Sequence, residues 1–328
     1  MSAYAIIHLI SRGRVDFMAN TAVIGVTFVD VKGFPRAKYD PVGRNLGMVK
    51  IVHGGVSRNV VENFANVGMP VSFVSMLEDT AIGRDVARRL ENVGADLKYT
   101  VMTDHDGIGM WLVILDENGD LAGSISSMPD VSVLEKLVDE QGEQIIAACE
   151  NVVLEIDLNE HIAERVFELA KKYNKKTYAI VGNLSVILPH LEYLQRTDCF
   201  ICNEVECGKI FGANVEQFTP QEMLEFLVPA ADKLAIPSIV VTMGAQGSVY
   251  YDAVGGEKGI CPPVPVRLVD SCGAGDAFFS GTVMALTRGM KLSEAVKYGA
   301  RLASMTISTD EAACPICHDF FNEQLKLF

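Results

Sequence analysis

The sequence predicts an α/β fold, a mostly parallel sheet covered by helices on both faces, and three observations carry that prediction. Short apolar runs with strand character alternate with longer stretches of helical period along most of the chain, the pattern that places parallel strands between helical layers. At 328 residues and 49% hydrophobic content there is material for one large domain or two smaller ones. Towards the C-terminus, Asp270-Ser271-Cys272-Gly273-Ala274-Gly275-Asp276 stands directly before the apolar run 277–286. That arrangement suits a loop wrapped over a helix N-terminus, where unpaired backbone N–H groups attract anions.

Taken in order, residues 22–30 read as a buried first strand ending in Asp30. An acid there lies where open α/β sheets gather ligands, although a turn-forming Asp has the same appearance. Residues 31–52 are short and punctuated by Gly and Pro, with 48–52 strand-like. Gly54-Gly55 then precede a helix that sets Val60, Phe64 and Val67 on one face and runs out at Gly68. A buried strand at 71–77 and a helix at 82–93, stopped by Gly94, follow. Residues 110–115 lead into the turn Asp116-Glu117-Asn118-Gly119 and the chain returns, which makes a hairpin. Helix, strand, helix and strand succeed one another at 135–149, 152–157, 161–173 and 177–181. A strand at 199–202 delivers Asn203-Glu204-Val205-Glu206, and 238–251 reads as strand, Gly-punctuated turn and returning strand. The helix at 293–307 carries Gly299, Ala300, Ala303 and Ser304, small enough for close packing beside an adenine ring. No internal repeat or low-complexity linker interrupts the pattern, so 21–328 reads as one domain behind an extension at 1–20.

Several residues carry chemistry. The small side chains of Gly273, Ala274 and Gly275 let a phosphoryl group approach their amides closely. Asp276 would repel such a group, so it stands there either as a helix-capping acid or as the base that takes a proton from a hydroxyl attacking the phosphorus. Asn59, one turn into its helix, can reach a substrate lying against Gly54 and Gly55, and Arg58 beside it reads as a substrate contact or as an exposed cation. Asn203 and Glu206, one helical turn apart, suit a hydrated Mg²⁺ beside phosphates, while capping by Asn203 explains half of that pattern.

A net charge of −14 argues against nucleic-acid or anionic-membrane binding, which would need a basic face. It leaves nucleotides open, since Mg²⁺ and amide dipoles hold a triphosphate inside an acidic protein. No apolar run reaches about 18 residues, the length of a membrane-spanning helix. The first twenty residues lack the basic region and cleavage site of a signal peptide. Eight cysteines in mostly apolar context fit the reduced thiols of a cytoplasmic protein. Cys199 and Cys202 would point to opposite faces of a strand, and Cys314/Cys317 has no second ligand pair, so neither spacing suggests a metal site.

The stretch from Asp270 to Asp276 resembles the C-terminal signature of the PfkB, or ribokinase-like, carbohydrate and nucleoside kinases: Gly-Ala-Gly-Asp preceded by a hydroxyl residue and an Asp. Gly54-Gly55 followed by Asn59 is similar to the family's N-terminal signature, and Asn203-x-x-Glu206 to its Asn-x-x-Glu motif. Thr242-x-Gly244-x-x-Gly247 resembles the family's turn beside ATP, and all four motifs stand in family order. The resemblance implies a ribokinase-like three-layer fold with a small β-sheet lid from segments near 31–52 and 97–127. It implies transfer of the γ-phosphoryl group of ATP to a hydroxymethyl group, with Asp276 as base and Gly273, Ala274 and Gly275 stabilising the transferred charge. Asp30, Gly54, Gly55, Asn59 and Arg58 would hold substrate, Asn203, Thr242, Gly244 and Gly247 the nucleotide, and Glu206 with Asn203 a water-bound Mg²⁺. Asp270 with the loop 308–313 would bind K⁺, as in some relatives. Lids of relatives often pair, which implies a homodimer, with Trp111, Val113 and Leu115 as candidate contacts. The form Gly-Gly-Val-x-Arg-Asn-x-x-x-Asn resembles pseudouridine kinases more than ribokinases. A kinase of ribose, fructose or a keto-deoxy sugar acid is the alternative within the class, and a non-catalytic sugar- or nucleoside-binding regulator the alternative outside it. Where many relatives carry Asp-Pro, this chain has Gly182-Asn183.

Overall fold

Residues 22–30 do not form one strand. The computed structural model, which describes residues 20–322, ends β1 (Thr21–Ile24) and opens β2 (Phe28–Pro35) in a different sheet. Gly25 is the reason, since a Cβ there would lie 2.0 Å from Ser57 Oγ and 2.5 Å from Glu155 Oε2. The next amide, Val26 N–H, donates to Glu155 Oε2 at 3.0 Å instead of extending the ladder. Asp30 therefore sits on the second sheet and not at the end of the first strand, as the unbroken apolar run had implied. The extension at 1–20 lies, apart from Asn20, outside the described residues.

The chain continues through β3 (Gly47–Gly54), α1 (Val56–Asn66), β4 (Val71–Glu78), α2 (Ala81–Asn92), β5 (Thr100–Thr103), β6 (Gly109–Leu115) and β7 (Leu121–Ser127). Next come α3 (Ser132–Ala148), β8 (Asn151–Glu155), α4 (Glu160–Lys172), β9 (Lys176–Ile180) and two short helical turns. Then follow β10 (Cys199–Asn203), α5 (Glu204–Phe211), α6 (Pro220–Lys233), β11 (Ser238–Thr242), β12 (Ser248–Asp252), β13 (Glu257–Cys261), α7 (Ala274–Thr287) and α8 (Leu292–Ile307). The large sheet runs β13-β12-β11-β10-β9-β8-β1-β4-β5, parallel from β11 to β5 with β12 and β13 antiparallel at one edge. A separate four-stranded sheet, β3-β2-β6-β7, is the lid. Residues 97–108 do not join it. Thr100 pairs in parallel with Ser75, and its Oγ1 donates to Phe73 O at 2.8 Å, so β5 completes the edge of the large sheet first.

Period-two burial on the strands divides the core. Ala22 and Ile24 of β1 join Val152 and Leu154 of β8 against α3 to α6, while Val23 and Val153 turn to the layer of α1, α2, α7 and α8. Each fully buried Leu, Ile or Phe of these layers is worth about 1.5–3 kcal/mol of transfer free energy. On lid strand β6, Val113 is buried and Trp111 half-buried, whereas Met110 and Leu112 are exposed. All eight cysteines are free.

Candidate active site

The parallel strands deliver polar groups to one end of the sheet, where such folds hold their ligands. Glu155 closes β8, Asn203 closes β10 and Thr242 closes β11. Over them α7 begins. Its N-cap, Gly273, has φ +74°, and a Cβ there would sit 2.0 Å from Ala312 O, so the tight curl requires glycine. An added Cβ at Gly275 would meet nothing within 4 Å, so this side of the helix mouth is open. The first-turn amides of Gly275 and Asp276, which a helix leaves without internal partners, are available to an anion. Ala274 N–H donates back to Ser271 O at 3.3 Å.

Asp276, in that first turn, lines a cleft of about 120 Å³ with Gly275, Asn203, Glu206, Thr242 and Phe279. Its Oδ2 accepts from Asn59 Nδ2 at 2.7 Å, and its backbone carbonyl accepts from Ser280 Oγ at 2.6 Å. Desolvation lifts its pKa to about 6, with Asn59 and Arg58 pulling down and Glu206 and Asp30 pushing up. It is thus an ionised acceptor at neutral pH and a stronger base than an ordinary carboxylate.

Asp30, on lid strand β2, lies within electrostatic reach of Asp276. Burial raises its pKa against the pull of Lys32 and Arg58, and a Cβ on Gly54 would lie 2.7 Å from its Oδ1, so that glycine makes room for the carboxylate. Gly55, with φ +93°, is the N-cap of α1. Arg58 is not an exposed cation: it is 1% exposed, and its guanidinium donates to Glu62, to Asn59 Oδ1 and, at 2.8 Å, to His53 O. Lys32, two residues beyond Asp30, places Nζ 2.9 Å from Cys272 Sγ and so joins the lid to the loop before α7.

Asn203 and Glu206 form a full capping box on α5: Glu206 N–H donates to Asn203 Oδ1 at 2.8 Å, and Asn203 N–H to Glu206 Oε2 at 2.9 Å. Both nevertheless line the cleft, and burial raises the Glu206 pKa. Among the described residues no group of three His, Cys, Asp or Glu converges on a metal position. Asn203 and Glu206 carry oxygen donors of the kind a hydrated Mg²⁺ takes through water. Thr242 Oγ1 donates to Cys202 O at 3.4 Å, and Gly244 and Gly247 form the turn after it, closed by Met243 N–H on Gly247 O at 2.8 Å. Asp270 Oδ1 accepts from Cys272 N–H at 2.9 Å, and Val269 N–H donates to Ile307 O at 2.8 Å, which draws this segment to the 308–313 loop.

Sequence reasoning passed over Glu155 and Asp157. Both are buried, and burial raises the pKa of both carboxyls, that of Glu155 further because of Asp157. Asp157 accepts from the backbone N–H groups of Gly182 and Asn183, so the loop that lacks Asp-Pro is held by this acid. Two acids closing an apolar strand were a signal in plain view.

The fold and this cleft define a phosphotransferase with an alcohol group as acceptor. Residues 18–316 match the pfkB family carbohydrate kinase profile, and the chain belongs to that family. It is 34% identical over 294 residues to a guanosine-inosine kinase of Exiguobacterium acetylicum, covering 90% of this chain and 96% of that one. Identity to the pseudouridine kinase of Escherichia coli is 21% over 288 residues, 88% of this chain and 90% of that one. The ranking that the Gly-Gly-Val-x-Arg-Asn form had suggested is therefore not supported. The structure of Arabidopsis thaliana ribokinase complexed with ribose and ATP superposes with a TM-score of 0.80 at 21% identity, covering 95% of this chain and all of that one.

Proposed function

We propose that this chain transfers the γ-phosphoryl group of ATP to the hydroxymethyl group of a nucleoside, with purine ribonucleosides ahead of pseudouridine and free sugars. The observation that carries the reaction is Asp276, ionisable near neutrality at the mouth of α7, in one cleft with Gly275, Glu206 and Thr242 and within electrostatic reach of Asp30. Asp276 takes the proton as the substrate hydroxyl attacks in line, while the amides of the α7 mouth hold the charge on the transferring group. Asp30 accepts hydrogen bonds from substrate hydroxyls, and closure of the lid excludes water. Mg²⁺ would be held through water by Glu206 and Asn203, and when bound it supplies charge neutralisation to the phosphates. K⁺ at Asp270 and the 308–313 loop would steady the anion-binding turn.

The preference for a nucleoside rests on the 34% identity to a guanosine-inosine kinase and on the lid register. Trp111 is the β6 partner of Asp30 on β2, so both side chains leave the same face of the lid, the indole beside the hydroxyl-binding acid. A ring surface there suits stacking of a base. We further propose that the exposed lid residues Val49, Ile51, Leu112 and Ile125 pair two copies, in place of the half-buried Trp111 and the buried Val113. An ATP-consumption screen over guanosine, inosine, adenosine, pseudouridine, ribose and fructose tests the reading. Guanosine or inosine should give the highest kcat/KM. Turnover confined to free sugars would overturn the nucleoside assignment, and ligand binding without ATP consumption would overturn catalysis.

A further inference from the structure

Behind Asp276 runs a line of paired polar and charged side chains, buried at Asn59, Arg58 and Glu62. Asn59 gives Nδ2 to Asp276 Oδ2 at 2.7 Å, and its Oδ1 is held by Arg58. Arg58 is in turn paired with Glu62 one helical turn on, and Glu62 Oε1 accepts from Arg89 Nε of α2 at 2.7 Å. Arg89 Nη2 reaches Glu311 Oε2 at 2.7 Å in the C-terminal loop. Arg58 is 1% and Glu62 2% exposed. Burying such a pair costs several kcal/mol of desolvation, and apolar side chains of similar volume are often no less stable there, so packing alone does not account for it.

We propose that Arg58 is a positioning residue for phosphoryl transfer, fixing the amide of Asn59 and through it the carboxylate of Asp276, with Glu62 anchoring Arg58 from behind. This rests on reading Asp276 as the base. A guanidinium has donors only, so it selects the oxygen of Asn59 and obliges the NH₂ group to face Asp276. That NH₂ occupies Oδ2 and leaves Oδ1 of Asp276 for the substrate proton. Glu206 of α5, Asp30 of β2 and Glu155 of β8 are acids that act on Asp276, and Arg58 is a positive charge that acts on it in the opposite sense.

The test is a coupling experiment on the full chain. Arg58→Met/Glu62→Met removes both charges together, a replacement that buried pairs tolerate, and Arg89 keeps Glu311. Folding is checked by circular dichroism and thermal melting. We expect kcat to fall about tenfold or more, as for a misplaced catalytic group, with KM for nucleoside and ATP within about twofold. The acid limb of kcat should move to higher pH by about one unit, because a favourable charge beside the base is lost. Asn59→Ala should cost much less in the double variant than in the wild type, since the pathway is already broken. Arg58→Lys, which keeps the charge but not the fork, should also lower kcat. An unchanged kcat and acid limb in the folded double variant would overturn the inference, as would equal Asn59→Ala losses in both backgrounds. A raised KM with unchanged kcat would instead make Arg58 a substrate contact. Turnover kept by Asp276→Asn would remove the parent reading and this inference with it, whereas turnover lost there without coupling sinks the positioning role alone.

Discussion

Replacing Asp276 by Asn should lower activity and raise stability, and the two effects together test the physical picture of the cleft. Asn fills the same volume, and its carbonyl can still accept from Asn59 Nδ2, so the hydrogen bond survives. What it lacks is a proton acceptor for the attacking hydroxyl, and kcat should fall on the order of 10²-fold or more. The wild-type carboxyl is lifted from 3.8 to about 6, mainly by desolvation, so the folded protein binds its proton more tightly than the unfolded chain does. The stability this group contributes is thus fully present below about pH 3.8 and is lost as pH rises through about 6. That interval corresponds to about 3 kcal/mol at 1.36 kcal/mol per pH unit, an upper value that water entering the cleft reduces. Asn resembles the neutral carboxyl at every pH, so the variant should melt several degrees higher at pH 8, with the gain shrinking steadily below pH 6. Activity is read from coupled ATP consumption between pH 5 and 9, and stability from melts in the same buffers. Near-normal turnover would refute the base. A stability difference that does not vary with pH, or has the opposite sign, would refute desolvation as the origin of its basicity.

Gly273→Ala places a methyl group 2.0 Å from Ala312 O on a residue with φ +74°, so the turn must shift; kcat/KM for ATP should fall about 10²-fold while circular dichroism stays native. Glu206→Ala loses half of a capping box and should cost about 1 kcal/mol in denaturant titrations as well as raising the Mg²⁺ requirement. Glu206→Gln should recover the stability but not the Mg²⁺ dependence. Trp111→Leu should raise KM for purine nucleosides roughly 5- to 150-fold and leave any ribose turnover unchanged, since base stacking on an aromatic ring is worth about 1–3 kcal/mol.

The parts of the site that could be read in advance are those that neighbours in sequence build for themselves. The turn at Gly273 and the amide of Gly275 come from one short stretch, and the Asn203/Glu206 capping box from four consecutive residues. Continuous apolar runs such as β1 and β8, buried on both faces and alternating with helical stretches, likewise made the parallel sheet legible. The misreadings share the opposite property. Nothing within 22–30 shows that the strand breaks at Gly25, because the groups that forbid a Cβ there, Ser57 and Glu155, arrive from α1 and β8. Arg58 reads in sequence as a substrate contact or a surface cation although Glu62 lies one turn away, because its burial also depends on Arg89 of α2 and on the carbonyl of His53. The distinction explains why the reaction is more legible than the substrate. An anion hole needs only a local backbone shape, whereas the hydroxyl and base contacts proposed above involve side chains that a different sheet brings together. Asp30 and Trp111 are adjacent through the pairing of β2 with β6, and a slip of one residue in that register would turn one of them to the opposite face, leaving every motif intact and the proposed nucleoside site dismantled.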